Sequence, residues 1–397
     1  MSLLLTNIRA LLPDGAIARI ELRLDGAVIA ETGPRLEVGG ARRLDGAGLL
    51  LLPGIIDLHG DAFERQLMPR PRVHVAPAIG LVDSDRQLLA NGVTTAYHGL
   101  TLSWEPGLRG LEAGRAFLAA LEAVRPHLAC DTRVHLRFEQ FNLDAASELE
   151  GWIEQGRIDL LAFNEHTADI GKHIARGQVG SYLARTGLDA AAFAELFTRV
   201  CARRDEVPAA SARLAAAAQR RGLPMASHDD DSLETRMRFR ALGCHISEFP
   251  YDGETARGAI ATGDVVVLGA PNVIRGGSHA GRLGAADAAR QGLCGVLTSD
   301  YYYPAQLHAA FQLVREGVVP LGAAWDMISA NAAAAVGLTD RGTIAAGRRA
   351  DLVLVDDRDP ALPMVAATFA AGRAAYVGPS LGALGWQPGD RREALSA

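Results

Sequence analysis

A histidine and an aspartate two positions apart follow a short apolar run in the segment 52–61, which reads LPGIIDLHGD. The run predicts a β-strand, and side chains at positions i and i+2 of a strand point to the same side. His59 and Asp61 can therefore bind one metal ion at the carboxyl end of this strand. Because a bound divalent ion lowers the pKa of water towards 7, the pair predicts a metal-dependent hydrolase.

Further apolar runs also end in residues that can bind metal or move a proton. They are Glu139 in HLRFE, His166 in NEHT, His228 in SHDDD, Glu248 in EFP and Asp300 in TSD. Charged residues are rarely buried without a partner, and a metal ion is the simplest partner for so many acids and imidazoles. The predicted metal ligands are His59, Asp61, Glu139, His166 and His228.

This mixture of residues suits two closely spaced divalent ions, which need a bridging carboxylate, further ligands and one position open to water. A nearby carboxylate would take the proton of that water and return it to the leaving group, and Asp300 is the candidate for this catalytic role. The histidine-rich set favours zinc, whereas phosphate chemistry favours manganese or magnesium.

Several of these residues also have a purely structural interpretation. Glu139 could pair with Arg137, with which it alternates along the chain. His166 could cap a helix, and the acids at 229–231 suit a helix N-terminus. Glu248 is equally compatible with a metal ligand, a substrate contact and a structural ion pair.

The middle of the chain alternates short apolar runs with alanine-rich amphipathic stretches, which predicts an α/β protein with a TIM-like (β/α)8 barrel. The predicted strands cover residues 55–59, 93–98, 133–139, 160–165, 224–228, 245–249, 265–270 and 295–300. In such barrels the chemistry lies at the carboxyl ends of the strands, where the candidate ligands fall. His135, Arg137 and Glu139 alternate along the third strand and could all face the interior. The long interval between His166 and Pro224 predicts a helical insertion over the site.

Both ends of the chain are rich in short strands and turns. Candidate strands cover residues 3–7, 16–20 and 49–52 near the start, and 347–357 and 366–377 near the end. They predict a small β-sandwich domain formed by residues 1–53 and 345–397, beside a barrel domain of residues 54–344.

A glycine-rich loop, GAPNVIRGGSHAG at 269–281, follows the seventh predicted strand. The loops after strands seven and eight often bind phosphate in such barrels, and glycine pairs let the backbone approach an anion. The predicted substrate-binding residues of this loop are Arg275, Gly276, Gly277, Ser278 and His279. Arg70 and Arg72 in PRPR at 69–72 could add positive charge across the mouth, and Glu248 could also contact substrate. Ordinary exposed turns are the alternative for both arginine-containing segments.

The chain has 397 residues, a net charge of -6 and 49% hydrophobic residues. Its size suits a barrel with an accessory domain. The negative charge argues against nucleic acid as a partner. The four cysteines form no CxxC pair, which predicts reduced thiols. Because the sequence lacks a leader-like N-terminus and an apolar run of about 18 residues, we expect a cytoplasmic protein with no membrane partner.

Two segments resemble the amidohydrolase superfamily, namely LPGIIDLH at 52–59 and the pattern from ANA at 330–332 to ADLV at 350–353. Three further segments are similar to the PhnM-type diphosphatases of phosphonate degradation: PRPR at 69–72, ASHDD at 226–230, and the loop at 269–279 with SDYY at 299–302. The resemblance covers nearly the whole chain. It implies a metal-dependent hydrolase that removes pyrophosphate from α-D-ribose 1-methylphosphonate 5-triphosphate, a phosphorylated small molecule, with Glu139 as the bridging ligand.

The resemblance has departures that leave alternatives open. Asp61 stands where the superfamily often has a second histidine, which agrees with the PhnM-type proteins, whereas EHTAD around His166 departs from the DHxPG that is usual in that family. A C–N hydrolase on the same scaffold, either a deacylase or a deaminase of a small acidic substrate, is therefore the alternative function. A non-catalytic scaffold is a second alternative, which the full ligand set disfavours. The sequence also leaves open whether the protein forms a homo-oligomer.

Overall fold

The structure is a computed structural model that describes residues 2–37, 39–278 and 281–382. In chain order the strands are β1 (Ser2–Leu11), β2 (Ile17–Asp25), β3 (Val28–Gly33), β4 (Arg42–Asp45), β5 (Leu50–Pro53), β6 (Ile55–Gly60), β7 (Val93–Leu102), β8 (Asp131–Glu139), β9 (Leu160–Asn164), β10 (Met225–His228), β11 (Ile246–Glu248), β12 (Val265–Gly269), β13 (Val296–Thr298), β14 (Leu352–Asp356), β15 (Met364–Ala370) and β16 (Arg373–Val377). The helices are α1 (Glu64–Leu67), α2 (Pro77–Ala90), α3 (Leu111–Val124), α4 (Ala146–Glu154), α5 (Thr167–Ala175), α6 (Gly180–Thr186), α7 (Ala190–Cys201), α8 (Val207–Arg220), α9 (Leu233–Ala241), α10 (Gly253–Ala261), α11 (Ala270–Ile274), α12 (Ala285–Arg290), α13 (Ala305–Arg315), α14 (Leu321–Asp326), α15 (Ala330–Ala335) and α16 (Pro379–Gly382).

Strands β6 to β13 form a parallel sheet in which neighbours in the chain are also neighbours in space. The first and last of these strands meet where Gly60 pairs with Asp300, and the amide of Asp300 donates to the carbonyl of His59 at 2.9 Å. Since helices separate the strands along the chain, the sheet closes into a TIM-like (β/α)8 barrel. The eight predicted barrel strands are confirmed, with small differences at their ends.

The interior of the barrel explains why its strands read as continuous apolar runs. Both faces of a parallel sheet are covered, so that neither face favours polar side chains. One buried cluster joins residues of the barrel strands: Ile56, Leu58, Tyr97, Leu160, Ala162, Ala226, Ile246, Val267 and Val296. The polar candidates lie at the carboxyl ends of the same strands, beyond this apolar layer.

A second sheet is built from both ends of the chain, as predicted. β5 pairs antiparallel with β14, with Leu52 opposite Val353, and β15 and β16 extend the sheet beyond β14. β1, β2 and β3 extend it on the other side. This sheet fits a small β-sandwich beside the barrel. Sequence analysis missed β3 and β4, and the RRLD of β4 lacks the apolar alternation of a half-buried strand.

Four helices, α5 to α8, separate β9 from β10 and confirm that the insertion after His166 is helical. Helix α5 begins directly after His166. Arg185 of α6 donates to Glu105, in the segment after β7, at 2.5 and 3.0 Å. The insertion therefore begins next to a predicted site residue, and an ion pair joins it to the segment after β7.

The glycine-rich segment 269–281 is only partly a loop. Its first part forms α11, which follows β12 directly and has Pro271 in its first turn. Proline is favoured at this position because the first N–H groups of a helix have no intrahelical partner. The expectation of a loop directly after the seventh barrel strand is therefore wrong. The turn comes later, at Gly276 and Gly277, whose φ angles are 77° and 151°.

The four cysteines are free thiols, and Cys130, Cys244 and Cys294 are buried. None of the described helices combines the length and the apolar composition that crossing a bilayer requires.

A buried ionic network supports the two strands that carry central site residues. Arg236 of α9 is fully buried, and its Nη1 atom lies 3.3 Å from the carboxylate of Asp230. The hydroxyls of Ser227 and Ser247 donate to the same carboxylate at 2.7 and 2.8 Å. Because these serines precede the last residues of β10 and β11, the network fixes the backbone from which the site side chains extend.

We expect Arg236→Met to lower the free energy of unfolding by about 3–5 kcal/mol, because the buried Asp230 carboxylate loses its cation. Urea denaturation measures this change. Arg238→Met on the same helix is the control: Arg238 is exposed, and its loss should change stability by less than about 0.5 kcal/mol. Equal effects of the two substitutions would show that the network contributes nothing specific.

Candidate metal centre

The carboxylate of Glu248 lies at the centre of the site and is fully buried. Its Oε2 atom is 3.1 Å from Nδ1 of His59, 3.2 Å from Nδ1 of His228 and 3.8 Å from Nε2 of His135. Burial raises the pKa of Glu248 to about 6. Glu248 therefore faces imidazole nitrogens inside the barrel, and it forms one possible metal-binding group with His59 and His228.

His135 is a central residue that the predicted ligand set did not include. Its Nδ1 atom lies 3.0 Å from the carbonyl oxygen of Leu58, which can only accept a hydrogen bond. Nδ1 is therefore protonated, and burial lowers the pKa of His135 to about 3, so that the ring is neutral. The lone pair on Nε2 then points towards Glu248. The alternation of His135 with Glu139 was the available sequence signal, and the structure confirms that His135 faces the interior.

Asp300 lies beside the histidine–aspartate pair that opened the sequence analysis. His59, Asp61 and Asp300 form a second possible metal-binding group. Burial first, and the negative charge of Asp61 second, raise the pKa of Asp300 to about 7. Asp300 also has a left-handed φ of 54°, which is uncommon outside glycine and often marks a functional turn.

His166 lies between two carboxylates. Its Nδ1 atom is 2.6 Å from Glu139, and its Nε2 atom is 3.7 Å from Asp229. Burial lowers the pKa of His166, but the two carboxylates outweigh burial and raise the pKa to about 10. The two carboxylates therefore favour the protonated form of His166. It does occupy the position before α5, yet its side chain makes no capping hydrogen bond.

Asp229 and Asp230 do not cap a helix, so that the interpretation of residues 229–231 as helix caps alone is wrong for these two. Helix α9 begins after Ser232, whose hydroxyl caps the first turn. Asp229 instead turns into the site with a φ of 61°, and its carboxylate lies 2.6 Å from Arg282. Asp230 belongs to the network around Arg236.

Arg137 is the second central residue that the predicted set did not include. Its side chain is buried at the mouth of the barrel, 5% exposed. One guanidinium nitrogen donates to Nε2 of His228 at 3.0 Å, and another lies 3.5 Å from Asp61. Arg137 therefore pairs with His228 and Asp61, and the alternative prediction of a pair with Glu139 is wrong.

The donors fit a divalent cation. Three groups have ligand atoms within 4.8 Å of one another: His59, His228 and Glu248; His166, His228 and Asp229; and His59, Asp61 and Asp300. Among the described residues, Oε1 of Glu248 and Nε2 of His135 are buried without a hydrogen-bond partner. Buried polar atoms are rarely left unpaired, so that these two atoms fit a role as ligands. Glu139 is connected to the donors through His166.

The predicted phosphate-binding segment lies at the surface. Arg275 is exposed, and its Nη1 atom lies 3.4 Å from the hydroxyl of Tyr301, the residue after Asp300. Arg65, which sequence analysis did not single out, places its guanidinium 5.8 Å from the centroid of the same ring. The hydroxyl of Ser278 accepts a hydrogen bond from the amide of Arg282 at 3.3 Å. His279 lies outside the described residues.

Arg70 and Arg72 lie on an exposed turn after α1. Arg70 forms a bridge with Val73, and Arg72 has a φ of 64°. In the described part of the chain these two arginines belong to none of the contacts that join the donor residues. The structure does not bring them together with the metal centre.

A closed parallel barrel with imidazoles and carboxylates at the carboxyl ends of its strands defines a hydrolase of the amidohydrolase type. A sequence profile of the amidohydrolase family matches residues 305–376. The alpha-D-ribose 1-methylphosphonate 5-triphosphate diphosphatase of Escherichia coli (strain K12) is 30% identical over 325 residues, which cover 80% of this chain and 85% of that enzyme. This chain therefore belongs to the amidohydrolase superfamily and, within it, to the family of that diphosphatase.

Two proteins with other names are also similar to this chain, one in sequence and one in fold. An adenine deaminase of Methylobacterium nodulans is 28% identical over 378 residues, 91% of this chain and 56% of that protein. The crystal structure of N-isopropylammelide isopropylaminohydrolase from Burkholderia multivorans has the same fold, with a TM-score of 0.65 and 22% identity. That match covers 94% of this chain and 97% of that chain.

A divalent ion that binds the folded protein should raise its melting temperature. At a free ion concentration of about 100 times the Kd, the free energy of unfolding should increase by about 2.7 kcal/mol. We expect added zinc or manganese to raise the melting temperature of chelator-treated protein in differential scanning calorimetry. The substitution His59→Ala should abolish this increase. The control is His74→Ala, since His74 is exposed. If neither ion changed the melting temperature of the wild-type protein, the donors would not form a metal site.

Proposed function

We propose that the protein is a metal-dependent diphosphatase that releases pyrophosphate from a ribose 5-triphosphate phosphonate in phosphonate degradation. The observation that carries this proposal is the 30% identity to the Escherichia coli diphosphatase, over 85% of that enzyme. The phosphorylated small molecule would be the main partner, and we expect the reaction to take place in the cytoplasm.

The metal would be held around His59, whose ring belongs to two of the three donor groups. When bound, a divalent ion supplies a Lewis acid that lowers the pKa of water and polarises a phosphoryl oxygen. Burial lowers the pKa of His59 to about 3, so that its imidazole is neutral and its lone pair is available. Neutral imidazoles and carboxylates are suitable donors for zinc, and carboxylates also suit manganese and magnesium.

Asp300 would serve as the proton shuttle. Its carboxylate would take a proton from water while the water oxygen forms a bond to the α-phosphorus. The same proton would pass to pyrophosphate as the phosphoanhydride bond breaks. The location of Asp300 within the same donor group as His59 and Asp61 supports this role.

Arg65 and Arg275 would bind the phosphates that leave. Both contact Tyr301, which follows Asp300 in the chain. Two other arginines near the site already form ion pairs, Arg109 with Glu64 and Arg282 with Asp229. The two arginines beside Tyr301 are exposed and can each donate two hydrogen bonds to a phosphate.

Hydrolysis of a C–N bond is the second candidate function. The likeness to an adenine deaminase over 91% of this chain supports it. The same donors would then activate water against an amidine or amide carbon, and ammonia or an amine would leave instead of pyrophosphate.

Parallel assays of a 5-triphosphorylated ribose phosphonate, adenine and N-acyl compounds separate the two functions. We expect pyrophosphate release from the triphosphate only. Asp300→Asn should reduce kcat by at least about 100-fold while the metal content stays unchanged, because only the proton-accepting oxygen is lost. Release of ammonia without pyrophosphate would establish the alternative function, and loss of metal from Asp300→Asn would make Asp300 a ligand.

Arg275→Ala should raise KM for the triphosphate by roughly 10-fold or more with a smaller effect on kcat, since a charge-assisted hydrogen bond contributes about 1.5–3 kcal/mol. Steady-state kinetics of pyrophosphate release measure both constants. Arg72→Ala is the control, because Arg72 is an exposed arginine outside the Tyr301 contacts. Equal KM values for wild type and Arg275→Ala would remove this segment from the phosphate site.

A further inference from the structure

Two consecutive side chains at the end of β11, Glu248 and Phe249, contact the same pair of imidazoles. The carboxylate of Glu248 faces Nδ1 of His59 at 3.1 Å and Nδ1 of His228 at 3.2 Å. The ring centroid of Phe249 lies 5.1 Å from that of His59 and 5.2 Å from that of His228. Neighbouring residues of an extended strand point to opposite faces of the sheet. These shared contacts therefore require the chain to leave the extended conformation at Phe249.

The backbone of Phe249 does leave it, with a φ of 53°. A left-handed φ is an outlier for a bulky residue, because the β-carbon comes too close to a carbonyl oxygen. Pro250 follows, and the residue before a proline prefers an extended conformation with a negative φ. The local sequence therefore opposes this conformation for two separate reasons. The amide of Phe249 still donates to the carbonyl of Val267 at 2.9 Å, so that the parallel sheet holds the turn in place.

The phenyl ring that this turn places in the site meets both imidazoles at a steep angle. The plane of Phe249 is inclined at 89° to that of His59 and at 77° to that of His228. The two imidazoles are nearly parallel, with an interplanar angle of 15° and centroids 5.2 Å apart. Edge-to-face contacts are a favoured arrangement of aromatic rings. Phe249 therefore restricts the rotation of both imidazoles, while Glu248 faces their Nδ1 atoms.

We propose that Phe249 is a positioning residue, whose ring orients the imidazoles of His59 and His228 for the reaction, and that its left-handed backbone brings the ring there while lowering the stability of the fold. Strained residues persist where the surrounding structure holds them, and they cluster at active sites. The inference goes beyond the proposed function and rests on it only in requiring that His59 and His228 take part in hydrolysis.

Removal of the ring tests the positioning role. Phe249→Ala should lower kcat by about 100-fold and leave KM within about 3-fold of wild type, because a displacement of about 1 Å has an effect of this size on the chemical step. Phe249→Leu keeps much of the apolar volume but lacks the flat ring, so that its kcat should lie between those of wild type and Phe249→Ala. Steady-state kinetics of pyrophosphate release measure both constants. An unchanged kcat in both variants would overturn the positioning role.

Melting temperatures separate positioning from a purely structural role. Glycine adopts a left-handed φ without strain, so that Phe249→Gly should melt at a higher temperature than Phe249→Ala, although glycine normally lowers stability. Both variants lack the ring, and their kcat values should be equally low. A structural role alone would make Phe249→Gly the more active of the two. A lower melting temperature for Phe249→Gly than for Phe249→Ala would overturn the strain.

The matched control is Ala371→Gly, in the turn between β15 and β16 of the second sheet. Ala371 also has a left-handed φ, of 48°. Its replacement should raise the melting temperature and leave kcat unchanged, because it relieves similar strain without touching the imidazoles. A comparable loss of kcat in Ala371→Gly would overturn the assignment to Phe249.

The outcome for Phe249 is distinguishable from that for the proposed function. If the wild-type protein releases ammonia and no pyrophosphate, the diphosphatase proposal fails, and the same variants compared in that reaction still decide the role of Phe249. Circular dichroism verifies that each variant is folded. If Phe249→Ala or Phe249→Gly does not fold, the kcat of Phe249→Leu decides the positioning role.

Discussion

The compensation of buried charge at the mouth of the barrel is the constraint on which the site depends. Glu248, His59, His135 and Arg137 are all nearly or completely removed from solvent. An ionised carboxylate in such a place is costly unless a cation or several hydrogen-bond donors accompany it. Arg137 and Arg282 face His228 and Asp229 in this arrangement, while Oε1 of Glu248 and Nε2 of His135 are buried without a hydrogen-bond partner.

The scaffold holds this arrangement through contacts behind the strands as well as within the barrel. Asp57 accepts hydrogen bonds from Thr298 and Ser299, which joins the first barrel strand to the segment that carries Asp300. The network of Arg236 and Asp230 likewise joins the ends of β10 and β11 to each other. Side chains with their own partners keep few alternative rotamers, so that the donors are positioned before any ligand binds.

The arginines around the site differ in how far they lie from the donor residues. The arginines near the donors are engaged, because Arg282 pairs with Asp229 and stacks on Tyr251 at 3.6 Å. Arg65 and Arg275 lie farther out and are exposed beside Tyr301. Such an order agrees with the proposed function, in which the reacting phosphorus would enter the barrel while the departing phosphates would stay at the rim.

Much of the fold followed from local patterns. Apolar runs alternating with amphipathic stretches specify a parallel barrel, because each strand must be covered on both faces. The acids and imidazoles at the strand ends could be found for the same reason, since parallel strands bring their carboxyl ends together. The short β4 could not be found, because four residues without apolar alternation carry no signal.

The amino-acid sequence by itself determined which chemistry is present, from the types of residue at the ends of the strands. Only the tertiary structure decided which side chains share a partner: that His135 and Arg137 belong to the centre, that Asp229 is no cap, and that His166 lies between Glu139 and Asp229. The reason is that protonation and pairing depend on distances between residues far apart in the chain and on their common burial. Neither quantity is recorded in a local pattern.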